Sequence, residues 1–148
     1  MIVASPLSGR VVPLEQVADA VFADRVMGDG AAILPSDGAV VAPVAGTVAK
    51  LFPGGHGLAI ETDDGVAVLV HLGIDTVELK GDGFSVATAE GDAVAAGDPL
   101  VTMDLPRLRQ LGVDLTSPVV VISGHAATCV TDGDVRAGDP LLDVETSA

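Results

Sequence analysis

Gly, Pro and Asp interrupt this chain every few residues, and between the interruptions lie short runs rich in Val, Ala and Leu, a rhythm that leaves no room for long helices. The turn-plus-strand units also recur. Ser5-Pro6-Leu7-Ser8-Gly9-Arg10-Val11 is echoed by Ala42-Pro43-Val44-Ala45-Gly46-Thr47-Val48, and Gly28-Asp29-Gly30-Ala31-Ala32-Ile33 by Gly55-His56-Gly57-Leu58-Ala59-Ile60. Near the end, Val94-Ala95-Ala96-Gly97-Asp98-Pro99-Leu100 returns as Val135-Arg136-Ala137-Gly138-Asp139-Pro140-Leu141. Short strands joined this way predict an all-β fold, an antiparallel β-sandwich or barrel with internal duplication. Helix is expected only as short turns, one where Leu105, Leu108 and Leu111 follow Asp104 as N-cap and stop at Gly112, another around Val17, Val21 and Phe22.

At 148 residues with no Ser-, Gly- or Pro-rich linker, the chain is expected to be a single domain over 1–148. With 49% hydrophobic residues and a mean hydropathy of +0.55 it is not a disordered chain, because it has apolar surface enough to offset ordering entropy. A formal charge of −14 excludes nucleic acid and anionic membrane surfaces as expected partners and favours a basic protein surface. The seven basic residues are spread from Arg10 to Arg136 and form no run that would make a patch. Cys129 is the only cysteine, so no intrachain disulfide forms, and it is expected to be a buried thiol. No basic segment followed by an apolar core opens the chain, and the apolar stretch Val66–Ile74 is too short to span a bilayer. A cytoplasmic location is expected.

Gly55 to Asp75 reads as a β-hairpin of two apolar strands around Thr62-Asp63-Asp64-Gly65. A turn centred between Asp63 and Asp64 sets His56 opposite His71, Leu58 opposite Leu69 and Ile60 opposite Ala67, placing the two imidazoles within reach of one small ion. A two-residue turn at Asp64-Gly65 leaves them diagonal on the same face, and only an odd slip would part them. Both faces are apolar, so the hairpin is expected at the centre of a sheet with its histidines at the strand ends. A neutral imidazole can attack a phosphoryl group while a second donates N–H to its oxygens, and the same lone pairs bind zinc. The hairpin alone does not choose. Gly73 lets the backbone fold beside the His71 ring so that a carbonyl could fix its tautomer; Asp75 either meets a partner's cation or caps a turn.

The segment Val70-His71-Leu72-Gly73-Ile74-Asp75-Thr76-Val77-Glu78-Leu79-Lys80-Gly81-Asp82-Gly83-Phe84 resembles the active-site signature of the glucose-type enzyme IIA family of the sugar phosphotransferase system. Val21-Phe22-Ala23, Gly28-Asp29-Gly30, Ala42 to Val48, Gly91 to Leu100 and Ser117-Pro118-Val119-Val120 match in the family's order. The resemblance implies a cytoplasmic phosphocarrier on a duplicated hybrid motif. In it, His71 takes a phosphoryl group from the carrier protein HPr, and His56 supports the group and its transfer to a cysteine of the IIB domain of a glucose or N-acetylglucosamine type permease. Carried over by position, Val21, Phe22, Met27, Phe52, Gly73 and Val77 form the docking surface, and Asp19 and Asp75 face arginine on HPr. No cofactor is required, although His56 and His71 could hold zinc when a partner adds a ligand. A purely regulatory binding protein is a further class of reading, compatible with the phosphocarrier, since phosphorylated and unphosphorylated surfaces would differ by nearly two charges.

Two departures from the family pattern stand out: Gly54 replaces a threonine two residues before the supporting histidine, and Ala18 a proline beside the docking loop. The match begins at Ile2, so a membrane-contacting arm present in some members is expected to be missing, and IIB to be met as a separate protein. Two other readings compete. A biotin or lipoate carrier would need a lysine at a hairpin tip, and only Lys50 and Lys80 exist. A zinc-dependent hydrolase would use His56, His71 and Asp75 with a water in the fourth position, and His125 and Cys129 could form another, separate site.

Overall fold

The two Gly-Asp-Pro echoes fold into the same turn. Asp98 Oδ2 accepts from the Ala95 N–H at 2.8 Å and Asp139 Oδ2 from the Arg136 N–H at 3.0 Å, with Gly97 and Gly138 at φ +92° and +95°. Each aspartate holds its turn open for a glycine in the left-handed region and launches a strand. The computed structural model describes residues 1–146. Along it run β1 (Ile2–Ala4), β2 (Gly9–Val12), β3 (Asp29–Pro35), β4 (Ala39–Val41), β5 (Gly46–Leu51), β6 (Gly57–Glu61) and β7 (Ala67–His71). The second half carries β8 (Phe84–Val86), β9 (Ala93–Val94), β10 (Pro99–Met103), β11 (Ser117–Val121), β12 (Ala127–Cys129), β13 (Asp134–Val135) and β14 (Pro140–Val144). Among the described residues helix is confined to α1 (Ala20–Ala23), α2 (Leu105–Gln110) and two 3-10 turns, Leu14–Gln16 and Thr76–Leu79. Asp104 caps α2 by accepting from Arg107 N–H at 3.1 Å, and Leu105 and Leu108 are its buried face, whereas Leu111, expected on the same face, caps the C-terminus and is exposed.

Every strand pairing is antiparallel. An eight-stranded sheet, β13-β2-β3-β11-β7-β6-β5-β9, lies against two three-stranded sheets, β1-β14-β12 and β4-β10-β8. The order of the large sheet shows the duplication. The seam is β11-β7, and outward from it β3 answers β6, β2 answers β5 and β13 answers β9. The registers agree, since Gly9 pairs with Val135 as Gly46 pairs with Val94. The first strand pairs with the last, Ile2 opposite Asp143, and the Met1 ammonium donates to the Val144 carbonyl at 3.0 Å.

The main core lies between the sheets and includes Val3, Leu7, Ile33, Leu58, Ile60, Val68, Val70, Val119, Val121 and Leu141. A second cluster covers the middle of the opposite face of the large sheet, where Leu14, Val17, Phe22 and Ile74 close over Ala32, Ala59, Leu69 and Val120. Strands β7 and β11 are therefore buried on both faces, which is why they read as unbroken apolar runs. Each valine or leucine so buried contributes about 1.5 to 3 kcal/mol.

Two sequence expectations are corrected by the fold. Cys129 is exposed, because β12 is the edge of a small sheet, and its Sγ lies 3.1 Å from the Thr131 carbonyl. Three of the seven basic residues also come to one place: the pairing of β13 with β2 and the position of α2 bring Arg10, Arg109 and Arg136 around one groove.

Candidate active site

The hairpin that carries the histidines has a three-residue loop, Asp63-Asp64-Gly65. The Thr62 carbonyl accepts from Gly65 N–H at 3.0 Å, Thr62 Oγ1 accepts from Val66 N–H at 3.1 Å, and Gly65 takes φ +84°. That is a turn closed by a left-handed glycine, and its odd length shifts the pairing by one residue from the expected register. His71 stands opposite Gly57, Leu58 opposite Val70 and Ala59 opposite Leu69. Leu58 and Ile60 consequently belong to the main core, not to the histidine face; that face is Ala59, Leu69 and His71.

A one-residue slip in regular strands would send His56 to the far side. It does not, because His56 precedes β6 and follows the Phe52–Gly55 turn, where Gly55 N–H donates to the Phe52 carbonyl at 2.9 Å and Gly54 and Gly55 take φ +93° and +88°. The two imidazoles meet edge to face, centroids 5.5 Å apart and planes at 72°. Gly57 makes room. A Cβ there would lie 2.5 Å from the Phe52 ring, which fills the space and reaches His56 at 5.4 Å and His71 at 6.3 Å between centroids. Gly54 lies against Gly81, where a Cβ would come within 2.8 Å of the Gly81 nitrogen. Backbone contact thus occupies the space that a threonine side chain would need. The His56 ring is held by burial, 5% exposed, and by its own backbone, whose carbonyl accepts from Leu72 N–H at 2.7 Å.

His71 Nδ1–H donates to the Gly73 carbonyl at 2.7 Å, which leaves the lone pair on Nε2. The carbonyl is aimed by its loop. Gly73 takes φ +75°, its N–H donates to Ser117 Oγ at 3.1 Å, and Thr76 Oγ1–H donates to the Leu72 carbonyl at 2.7 Å. Burial lowers the pKa of both histidines. For His56 the neighbouring His71 charge lowers it further and the Pro53 backbone opposes; for His71 the Gly73 carbonyl, Asp19 and Asp75 oppose. Both rings are therefore favoured in the neutral form.

Asp19 caps α1, its Oδ1 accepting from Val21 N–H at 3.0 Å. Asp75 is exposed, and its side chain caps nothing, so of its two readings the turn cap falls away. Val21, Met27 and Val77 are exposed, and Phe52 is half-buried with its ring against both imidazoles. Phe22 is corrected: it is 5% exposed and backs His71 at 5.3 Å, because the α1 turn drives it into the second core. The sequence reading did not single out Val26, the most exposed apolar side chain of this loop at 73%, although its place between Arg25 and Met27 could have marked it. Nor did it find Arg25, which takes φ +57° and clasps the loop by pairing with Asp29 at 2.9 Å and Glu15 at 3.2 Å. Glu78 and Asp114 were also missed. They join Asp75 around a cavity of about 370 Å³ beside the site.

The metal-ligand readings fail on grouping. Among the described residues no three of His, Cys, Asp and Glu come together to hold an ion, so neither His56, His71 and Asp75 nor His125 and Cys129 make a hydrolytic centre. His125 instead has its Nδ1 2.7 Å from Ser123 Oγ.

A half-buried imidazole whose Nδ1–H is held by a backbone carbonyl, with a second imidazole in ring contact, makes a two-histidine site on an antiparallel sandwich. The chain belongs to the phosphoenolpyruvate-dependent sugar phosphotransferase system EIIA 1 family, whose model matches residues 1–127. It is 50% identical over 128 residues to the glucose-specific EIICBA component of Streptococcus pneumoniae, covering 86% of this chain and 18% of that protein. It is 44% identical to the N-acetylglucosamine-specific EIICBA component of Klebsiella pneumoniae, covering 95% and 22%. The chain thus spans about a fifth of the length of these relatives. With the glucose-specific EIIA component of Bacillus cereus it shares 41% identity over 86% of this chain and 78% of that one. The glucose permease IIA from Mycoplasma capricolum superposes with a TM-score of 0.90 at 36% identity, covering 96% of this chain and 94% of that one. Among the described residues no helix is long and apolar enough to cross a membrane.

Proposed function

We propose that the chain is a phosphocarrier of a sugar phosphotransferase system, taking a phosphoryl group from HPr on His71 and passing it to the IIB component of a glucose or N-acetylglucosamine type permease, in the cytoplasm. The observation that carries this reading is the hydrogen bond from His71 Nδ1–H to the Gly73 carbonyl, with His56 in ring contact. Nε2 attacks phosphorus, the bond from phosphorus to its donor breaks, and the positive charge that develops on the His71 ring is met at Nδ1–H by the carbonyl. An N–H of His56 donates to a phosphoryl oxygen and follows the group as it leaves. Val21, Val26, Met27 and Val77 give the partners an apolar contact ring, and Asp19, Asp75, Glu78 and Asp114 receive their cations. Two imidazoles leave a tetrahedral zinc ion short of ligands, so zinc would bind this pair tightly only when a partner completed the set.

The test is incubation with phosphoenolpyruvate, the first enzyme of the system and HPr, following acid-labile phosphate. His71→Ala is expected to abolish incorporation. His56→Ala is expected to accept phosphate and pass it on about ten- to a hundredfold more slowly, since a hydrogen bond to a charged group is worth ~1.5 to 3 kcal/mol. Phosphate retained in His71→Ala would assign the nucleophile elsewhere, and none in the unmutated protein would sink the phosphocarrier reading.

A further inference from the structure

Two arginines of this acidic chain are neutralised, Arg25 by Glu15 and Asp29, Arg107 by Asp82 at 2.9 Å. Three others are not. Arg10 on β2, Arg136 just after β13 and Arg109 on α2 line a single groove of about 800 Å³, and among the described residues none of the three has a carboxylate within ion-pair distance. Chain pairing creates the group: β13 lies beside β2 with Asp134 opposite Arg10, while α2 supplies Arg109 from a distant stretch of sequence. The groove shares no residue with the histidine site described above.

Three exposed guanidiniums line the groove against the two carboxylates of Asp37 and Asp134, which leaves it one net positive charge for an anion to meet. Their planar forks match phosphate oxygens two at a time. The rest of the lining is not that of a polyanion surface, because Asp37 and Asp134 stand in the same groove and the chain carries −14 overall. Nucleic acid and anionic lipid both require an extended positive face. A small ligand with one phosphate and several hydroxyls fits these groups better: the arginines take the phosphate, while Asp37, Asp134 and the Ser8 and Ser36 hydroxyls meet hydroxyl groups. Leu34, 44% exposed, offers a sugar ring an apolar wall. The volume falls within the roughly 300 to 1,000 Å³ range of small-molecule sites.

The geometry points to the Arg10–Arg109–Arg136 groove as a binding site for a phosphorylated monosaccharide. Its biological role rests on the phosphocarrier reading: the relay that such a carrier feeds ends in a sugar phosphate, and this groove lets the carrier register that product away from its histidines. Binding itself does not depend on that reading.

Amide NMR titration of the full chain tests it, with glucose 6-phosphate, N-acetylglucosamine 6-phosphate, glucose and inorganic phosphate as probes. At least one sugar phosphate is expected to give saturable shifts at Gly9, Ser36 and Asp134, with about tenfold weaker binding of inorganic phosphate and none of glucose. Combined Arg10→Gln, Arg109→Gln and Arg136→Gln, all at exposed positions, is expected to weaken binding at least about tenfold while leaving circular dichroism and phosphate incorporation on His71 unchanged. Equal affinity for inorganic phosphate would reduce the groove to an adventitious anion site. Shifts confined to the histidines, no saturable shift with either sugar phosphate, or undiminished binding by the triple variant would each overturn the proposal. Failure of His71 to accept phosphate would remove the carrier reading and leave the binding result standing.

Discussion

His71 depends on two residues that have no side chain. Gly73 brings a carbonyl to Nδ1, and Gly57 leaves the space in which Phe52 packs against both rings. Burial holds both imidazoles below the ordinary value of 6.5, so the folded protein binds fewer protons than the unfolded chain as pH falls from that value toward the lowered ones. Their contribution to stability is therefore complete above about pH 6.5 and is lost as pH falls through this window. Titration of the ring protons by NMR is expected to show both midpoints below 6.5, and Asp75→Asn to move His71 lower still by removing a charge that raises it. A midpoint for His71 that rises in this variant would contradict the assignment. The pair was legible in the sequence because Gly-His-Gly and His-Leu-Gly punctuate apolar runs. The irregular turn that turns His56 toward His71 was not, since it packs Gly54 against Gly81, a neighbour far away in sequence.

At the scale of the element, loop length decides what the hairpin presents. Thr62-Asp63-Asp64-Gly65 reads plainly as a turn, but the same letters suit loops of two, three or four residues, and the left-handed Gly65 selects three. Gly65→Ala meets no neighbour and is expected to cost about 1 kcal/mol in backbone strain, seen in the melting temperature, without altering phosphate acceptance. Gly57→Ala is expected to do the reverse of a neutral change, displacing Phe52 and shifting the ring resonances of both histidines. Unmoved resonances would show that Phe52 does not set their packing. The docking loop has its own fastening in Arg25, whose two exposed ion pairs are worth about 0.2 to 1 kcal/mol each. Arg25→Gln is expected to raise the KM for HPr a few-fold and leave kcat unchanged, measured in the phosphate-incorporation assay. The Val21, Phe22 turn could be read from spacing, yet which of its faces meets a partner could not, because that depends on the second core into which Phe22 sinks.

For the molecule as a whole, a charge of −14 makes encounter with a basic partner faster than diffusion alone would give. Acceptance from HPr is expected to slow as salt is raised to about 0.15 M, where charges more than about 8 Å apart are largely screened, and an unchanged kcat/KM would argue against acidic steering. The duplicated sandwich was visible in three short echoes, and the large sheet places matching halves on either side of the β11-β7 seam. The two halves have parted in chemistry: where one has Gly55-His56-Gly57, the other has Gly28-Asp29-Gly30, and the aspartate holds Arg25 where the histidine meets Phe52. The pairing of β1 with β14 has a different consequence. Polypeptide enters and leaves this sandwich at one corner, so the unit can be inserted into a longer chain, or hung from either end of one, without any strand changing its neighbour. A tether attached there would act as a single pivot for the whole sandwich, its two chain ends being hydrogen-bonded side by side.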